Sequence, residues 1–446
     1  MGSFCERKKM EEIQNPDYKK AAQENPRLDP NKPYPIEGVL VVDLTRVLSG
    51  PTCTRMLADA GARVIHVERP PKGDDTRSMG PYVSDGSSDY FRIANVGKES
   101  IALNFSDPGD HAFLMKMIAK ADVVVENFRP GVMAKNGLDP EELVKKFPRL
   151  IVCSISGFGQ WGPMSRDAAY DTVVQAWSGL MDLTGQPADE GGLPTRVGTS
   201  ISDIVAGIHG YAGIVTALYA REKTGKGTTV DISMLDTSFS LMAQGLMSSL
   251  GLSKRPKRIG NRHPYMYPFD TFMCADEMVA ICCGNDRLWG LLSSCLGHPE
   301  WASDPDMATN DLREKNWKKV KGLMEGVLSS APAKEWQEKI SKAGVPCGLC
   351  LNVDDTRRMP QIISRGMVKE MPDGQLVLGD PFKFGTWNSY GAQKDAPGYD
   401  EDGDAIRKEF GEYGKPPLAG ALPFFGDRFS DQKSPQRGPI RSGVRI

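Results

Sequence analysis

At 446 residues the chain is longer than one hydrophobic core usually serves, and its 40% hydrophobic and 25% charged content excludes a fibrous or wholly disordered protein. Fifty-five Lys plus Arg against 57 Asp plus Glu leave a net charge of -2, so the basic footprint of an ordinary nucleic-acid binder is missing. Nine cysteines, an odd number without regular spacing in so long a chain, point to reduced thiols and a cytoplasmic setting, not to a disulfide framework.

In chain order, residues 1–36 mix charge with Pro and Asn and carry no apolar signal region, which predicts an arm that buries little surface. From Gly38 the pattern changes. A β-rich run, Val39-Leu-Val-Val-Asp43, precedes a helical segment over 52–59 and a second strand over 64–68. The alternation continues with strands over 100–105, 123–126 and 150–154 and helices over 107–121 and 140–147. Near-continuous apolar strands alternating with amphipathic helices imply a parallel sheet covered on both faces, an α/β fold with a Rossmann-like layer. Beyond residue 171 the chain reads as long Ala/Gly/Met-rich helices interrupted by a strand over 229–233. The apolar stretch 204–220 carries His209 and three glycines, so it is read as a helix buried in protein, with no membrane span expected. A second, smaller α/β unit begins near Arg258, with a hairpin turning at Ala275-Asp-Glu277, and an extended tail follows Gly414.

In open parallel sheets ligands gather beyond the carboxyl ends of the strands, so the loops there are the candidates. Thr45-Arg-Val-Leu-Ser-Gly-Pro51 leads into a helix N-terminus, where unpaired N–H groups favour an anion; a plain strand-to-helix turn with Pro51 in the first helical turn competes evenly. Arg69 follows the second strand, where it either meets a phosphate or is an ordinary surface cation. Asn95-Val-Gly-Lys98 and Glu126-Asn-Phe-Arg-Pro-Gly131 combine a cation with Gly, and Phe128 adds an aromatic face. Neither GxGxxG nor GxxxxGK[ST] follows the first strand, which argues against dinucleotide or nucleoside-triphosphate binding. The glycines of Ser156-Gly-Phe-Gly159 let a backbone approach a ligand. Asp171, just ahead of an apolar helical run, is by local rules a helix cap. Cys347-Gly-Leu-Cys350 lacks a second pair, and the five histidines are dispersed, so no metal site is expected.

Together these segments resemble the class III coenzyme A transferases, the family of formyl-CoA transferase, carnitine CoA-transferase and the CoA-ester racemases. The resemblance runs from about Gly38 to Gly398. It rests on Val47-Leu-Ser-Gly-Pro51, Val67-Glu-Arg69, Asn95-Val-Gly-Lys98, Val125-Glu-Asn-Phe-Arg-Pro-Gly131, Ser156-Gly-Phe-Gly159 and Tyr170-Asp171 with Gln175-Ala-Trp-Ser-Gly179. It implies an interlocked, ring-like homodimer, each chain with a Rossmann-like large domain built from both termini and a small α/β domain between. On this chain that gives an arm over 1–36, the first part of the large domain over 37–225, linker helices over 226–257, the small domain over 258–345, a return to the large domain over 346–413 and a tail over 414–446.

The resemblance also implies an enzyme that moves coenzyme A from an acyl-CoA donor to a carboxylic acid acceptor, with Asp171 as nucleophile. Gly157 and Gly159 would stabilise the oxyanion, while Val47, Leu48, Arg69, Asn95, Lys98, Asn127, Phe128, Arg129 and Lys135 would line the coenzyme A site. The thioester is the substrate, and no tightly bound cofactor is expected. A racemase of acyl-CoA α-carbons pairs Asp with His; here Ala168-Ala-Tyr precedes Asp171 and no His lies between His111 and it, which counts against that alternative. A CoA-ester-binding protein without turnover is the third reading. The glycine-rich loop of some oxalate-type members is replaced by Gly260-Asn-Arg-His-Pro-Tyr-Met-Tyr267, which counts against formyl or oxalyl specificity.

Overall fold

The computed structural model describes residues 15–83 and 85–411, so the expected tail over 414–446 and the start of the arm lie outside the described residues. Six parallel strands form the main sheet: β1 Leu40–Asp43, β2 Arg63–Glu68, β3 Glu99–Ala102, β4 Val123–Glu126, β5 Ile151–Ser156 and β6 Thr229–Ser233. Their spatial order is β3-β2-β1-β4-β5-β6, so the winding reverses between β1 and β4. That reversal opens a crevice at the carboxyl ends of the two strands.

The strands read as unbroken apolar runs because each residue packs on one of two covered faces. Val42, Val124 and Val152 pack with Phe113, Leu114 and Met117 of one helix and Leu143 of the next. Val41, Val123 and Ile151 turn the other way, onto Cys53, Leu57, Ile214 and Ala217. The helices that matter for the site lie on that second face: α1 Ser49–Asp59, α2 Asp171–Ser178 and α3 Ile201–Thr224. α3 is long and apolar enough to cross a membrane by length and composition alone. Here it lies along α1 and the sheet, buried on one side only, with Ile208 and Tyr219 exposed on the other. Close packing is what its glycines are for: a Cβ at Gly207 would come 2.7 Å from the Ser49 carbonyl oxygen, and one at Gly210 would come 3.1 Å from Cys53 Sγ.

The smaller unit has an antiparallel sheet of β7 Phe269–Met273, β8 Met278–Cys282 and β9 Cys347–Leu349, with a core from Tyr267 to Val345 that includes Trp289, Val320 and Ile340. Two boundaries differ from expectation. β6 belongs to the main sheet, not to a linker, and the small sheet continues past residue 345 because β9 pairs with β8 and Cys282 N–H donates to the Pro346 carbonyl. The arm differs too. A short helix, Tyr18–Gln23, is capped by Asp17, and Tyr18 and Leu28 are buried against the C-terminal part of the chain. Tyr18 Oη donates to the Arg357 carbonyl at 3.1 Å and Asn25 Nδ2 to that of Ser364 at 2.6 Å. A few well-spaced apolar residues suffice for docking even where the composition is mostly polar.

Candidate active site

The loop after β1 is held in an uncommon shape. Val47 has φ 67, a left-handed conformation that a β-branched residue resists, and its N–H donates to Asp74 Oδ2 at 3.1 Å. Asn127, after β4, closes the crevice from the opposite side: its Oδ1 accepts from Arg46 N–H at 2.9 Å and its Nδ2 donates to the Arg46 carbonyl at 2.8 Å. Arg46 in turn lies over the Phe128 ring, 5.8 Å from its centroid. Val47, Leu48, Asn127 and Phe128 are thereby brought together at the reversal point. Arg69 and Arg129 are exposed at the same strand ends, and Lys135 is exposed on the helix Val132–Lys135 that follows.

Two residues expected there are placed elsewhere. Lys98 and Asn95 are fully buried. The Lys98 ammonium donates to Asp43 Oδ2 at 3.0 Å, Thr54 Oγ1 at 2.7 Å and Asn95 Oδ1 at 2.8 Å, which uses all three of its protons and leaves none for a phosphate. Burial alone would raise the Asp43 carboxyl, but Lys98 and His66 beside it hold it below the usual carboxylate range. Asp43 Oδ1 also takes the Thr45 N–H and hydroxyl, so this ion pair anchors the base of the ligand loop from beneath.

Asp171 is the first residue of α2 and is 6% exposed. Both of its oxygens are engaged: Oδ2 accepts from Gln175 Nε2 at 2.7 Å and Oδ1 from Ser202 N–H at 2.9 Å. Local rules made Asp171 a helix cap, and it is one, but for α3 rather than its own helix. Ser200, at the α3 cap position, makes no capping bond, and Asp171 supplies the acceptor from outside. Gly157 and Gly159 lie on the loop leading to α2; a Cβ on Gly157 would collide with Ala169, and Gly159 has φ +82.

A titratable neighbour of Asp171 that sequence reasoning did not single out is Asp203, in the first turn of α3. Its carboxyl is half-buried, and no donor among the described residues is bonded to it. Burial, with the Asp171 carboxylate beside it, pushes it up to about 7. Tyr90 belongs to the same cluster, its phenol raised by burial and by Asp203, Asp74 and Asp171 around it. The sequence signal for Asp203 was Ser200-Ile-Ser-Asp203, which reads as an ordinary capping box. In a capping box the acid reaches back to the cap residue; here it is left open.

A crevice walled by the loops after β1 and β4, with the carboxylates of Asp171 and Asp203 in the first turns of α2 and α3, combines a place for a ligand at the strand ends with titratable groups. Comparison with known proteins names the chemistry. The model of CoA-transferase family III matches residues 36–403. Acetyl-CoA:oxalate CoA-transferase of Acetobacter aceti is 49% identical over 85% of this chain and 97% of its own. Succinyl-CoA:glutarate CoA-transferase of Mus musculus is 37% identical over 78% of this chain and 79% of its own. Among solved structures, a CAIB/BAIF family protein from Brucella suis superposes with a TM-score of 0.76 at 38% identity, covering 85% of this chain and 100% of that one. The chain belongs to CoA-transferase family III, and it is an enzyme of that class.

Proposed function

We propose that the enzyme transfers coenzyme A from a short acyl-CoA to a short dicarboxylate through a covalent intermediate on the Asp171–Asp203 pair. The observation that carries this is the setting of the two carboxylates. Asp171, buried at the start of α2, is held in one orientation by Gln175 Nε2 and the Ser202 N–H, and Asp203 lies close enough for the Asp171 charge to act on it. A carboxylate oxygen has two lone pairs, so a carboxylate held by such donors keeps one on each oxygen for attack.

One carboxylate of the pair attacks the thioester carbonyl, the C–S bond breaks, and the coenzyme A thiolate leaves a mixed anhydride. The thiolate returns to the acyl carbon of that aspartate, forming an aspartyl-CoA thioester and releasing the donor acid as its carboxylate. The acceptor carboxylate then attacks that thioester, and the same two steps run in reverse to give the new acyl-CoA and the free aspartate. Both halves conserve the activated bond, provided water is kept away. Val47, Leu48, Arg69, Asn127, Phe128, Arg129 and Lys135 are proposed to hold coenzyme A, the cations at its phosphates and Phe128 at its base. Gly157 and Gly159 are proposed at the oxyanion.

Relatives named for acetyl-CoA with oxalate and for succinyl-CoA with glutarate support a dicarboxylate acceptor, and the former returns oxalate to consideration. The strand order, which is the doubly wound one, supports the Rossmann-like reading. A homodimer is supported by Trp161, Tyr170 and Trp177, which are 82%, 78% and 64% exposed along the approach to α2 and suit cover by a second copy. The test is to incubate the enzyme with acetyl-CoA or succinyl-CoA, trap the acyl-enzyme with hydroxylamine or borohydride, and map the adduct by mass spectrometry. An adduct on Asp171 or Asp203, lost when that residue is changed to Asn, is expected and names the nucleophile; an adduct on any other residue would overturn the assignment. A panel of oxalate, glutarate and other acids against one donor fixes the acceptor.

A further inference from the structure

Asp74 lies on the loop after β2, beyond Arg69, and is buried. Its own N–H donates to Glu68 Oε2 at 2.9 Å, and Glu68 is held in turn by the Arg77 guanidinium at 2.6 and 2.7 Å. Asp74 Oδ1 accepts from the Thr76 N–H at 2.8 Å and from the Thr76 hydroxyl at 2.6 Å. That leaves Oδ2 turned toward the loop after β1, where it takes the Val47 N–H at 3.1 Å. An anchored carboxylate thus reaches from one strand-end loop to the other. It meets there the one β-branched residue held at positive φ among the described residues.

Nothing in valine favours φ 67, so this conformation persists only where the surroundings impose it. Asn127 holds the preceding residue, Arg46, by its N–H and its carbonyl, but neither bond reaches Val47. Asp74 supplies the bond that does. At Val47 the chain turns into Leu48 and α1, so the same φ sets where Leu48 and the first turn of α1 stand in the crevice. We infer that Asp74 is a positioning residue for acyl-CoA binding: its carboxylate holds Val47 in the left-handed conformation and so aims the loop after β1 at the ligand. The inference rests on the reading of this crevice as the coenzyme A site, and not on which carboxylate carries the acyl group. A carboxylate is required because the position needs acceptors toward both Thr76 and Val47, and an amide has only one acceptor oxygen.

Four full-length proteins test this with one short acyl-CoA and the best acid of the panel: the unaltered enzyme, Asp74→Asn, Val47→Gly and the double variant. In Asp74→Asn the amide oxygen stays with the two Thr76 donors and the NH2 faces the Val47 N–H, so the hold is lost at unchanged size. KM for acyl-CoA is expected to rise about 10-fold, a shift that strain at such a residue can drive, with kcat within about twofold. Glycine adopts positive φ freely, so in Val47→Gly the loop no longer depends on Asp74. Adding Asp74→Asn there should change KM by less than about twofold. A carboxylate that served only the fold would act equally in both backgrounds. Equal effects of Asp74→Asn in the two backgrounds, or an unchanged KM in folded Asp74→Asn, would defeat the inference. Should Asp74→Asn not fold, Asp74→Glu, which keeps the charge and displaces the oxygens by one methylene, carries the same cycle. Arg69→Ala and Val47→Gly check the underlying reading separately. If both leave KM for acyl-CoA unchanged, the crevice is not the coenzyme A site; if both raise it and Asp74→Asn does not, Asp74 alone is misassigned.

Discussion

Asp171 and Asp203 lie in the first turns of two helices, close enough for the charge of one to act on the other, and they respond to burial differently. Asp171 is compensated by two donors; Asp203 is uncompensated, and burial and the charge of Asp171 raise it to about 7. Both belong to the proposed reacting pair, so changing either to Asn is expected to lower kcat, and by more than about 10³-fold for the one that carries the adduct. Asp171→Asn also removes the negative charge beside Asp203 and should lower the Asp203 pKa from about 7. Carboxyl titration of this variant and the unaltered enzyme by carbon NMR checks this, and an Asp203 pKa that stays in place in Asp171→Asn would sink the coupling.

At the scale of elements, the alternating pattern of the main sheet was legible because parallel strands covered on both faces are written as continuous valine and isoleucine runs. The loops after β1 and β4 were legible for a related reason: strand ends at a reversal of winding are where side chains have no packing partner and are left for ligands. Lys98 was misread because a cation beside glycine looks the same on a surface loop and at the bottom of a core. Only its partner Asp43, 55 residues away in sequence, decides the matter. Asp203 was hidden by a sequence that doubles as a capping box, and what was not legible about Asp171 was its capping role across helices, which no local rule describes. The two kinds of cation are separable by experiment. Lys98→Met strands the buried Asp43 charge and should cost about 3–5 kcal/mol in urea unfolding. Arg69→Ala, at an exposed position, should cost under about 0.5 kcal/mol and instead raise KM for acyl-CoA. Equal effects on stability from the two would refute the division.

Over the whole molecule, the N-terminal segment and the C-terminal part of the chain hold each other. Tyr18 and Asn25 bond to carbonyls near residues 357 and 364, Tyr34 Oη donates to the Gly391 carbonyl at 3.2 Å, and Asn388 Nδ2 donates back to the Pro30 carbonyl at 2.9 Å. Leu28 is the apolar centre of this contact, 2% exposed, and the chain approaches it so closely at Gly366 that a Cβ there would lie 2.6 Å from Leu28 Cδ1. The segment is thus a strap over the returning chain, and its removal from water should be worth as much as that of an ordinary core leucine. Leu28→Ala is expected to destabilise the protein by about 2–5 kcal/mol, since so tight a site cannot collapse around the lost atoms without moving backbone. Leu28 packs against the returning chain at Gly366, so kcat and KM at 25 °C should be those of the unaltered enzyme while the thermal midpoint falls. A loose arm would behave otherwise: the same substitution would change stability by no more than about 0.5 kcal/mol, and thermal denaturation of the variant distinguishes a strap from an arm directly.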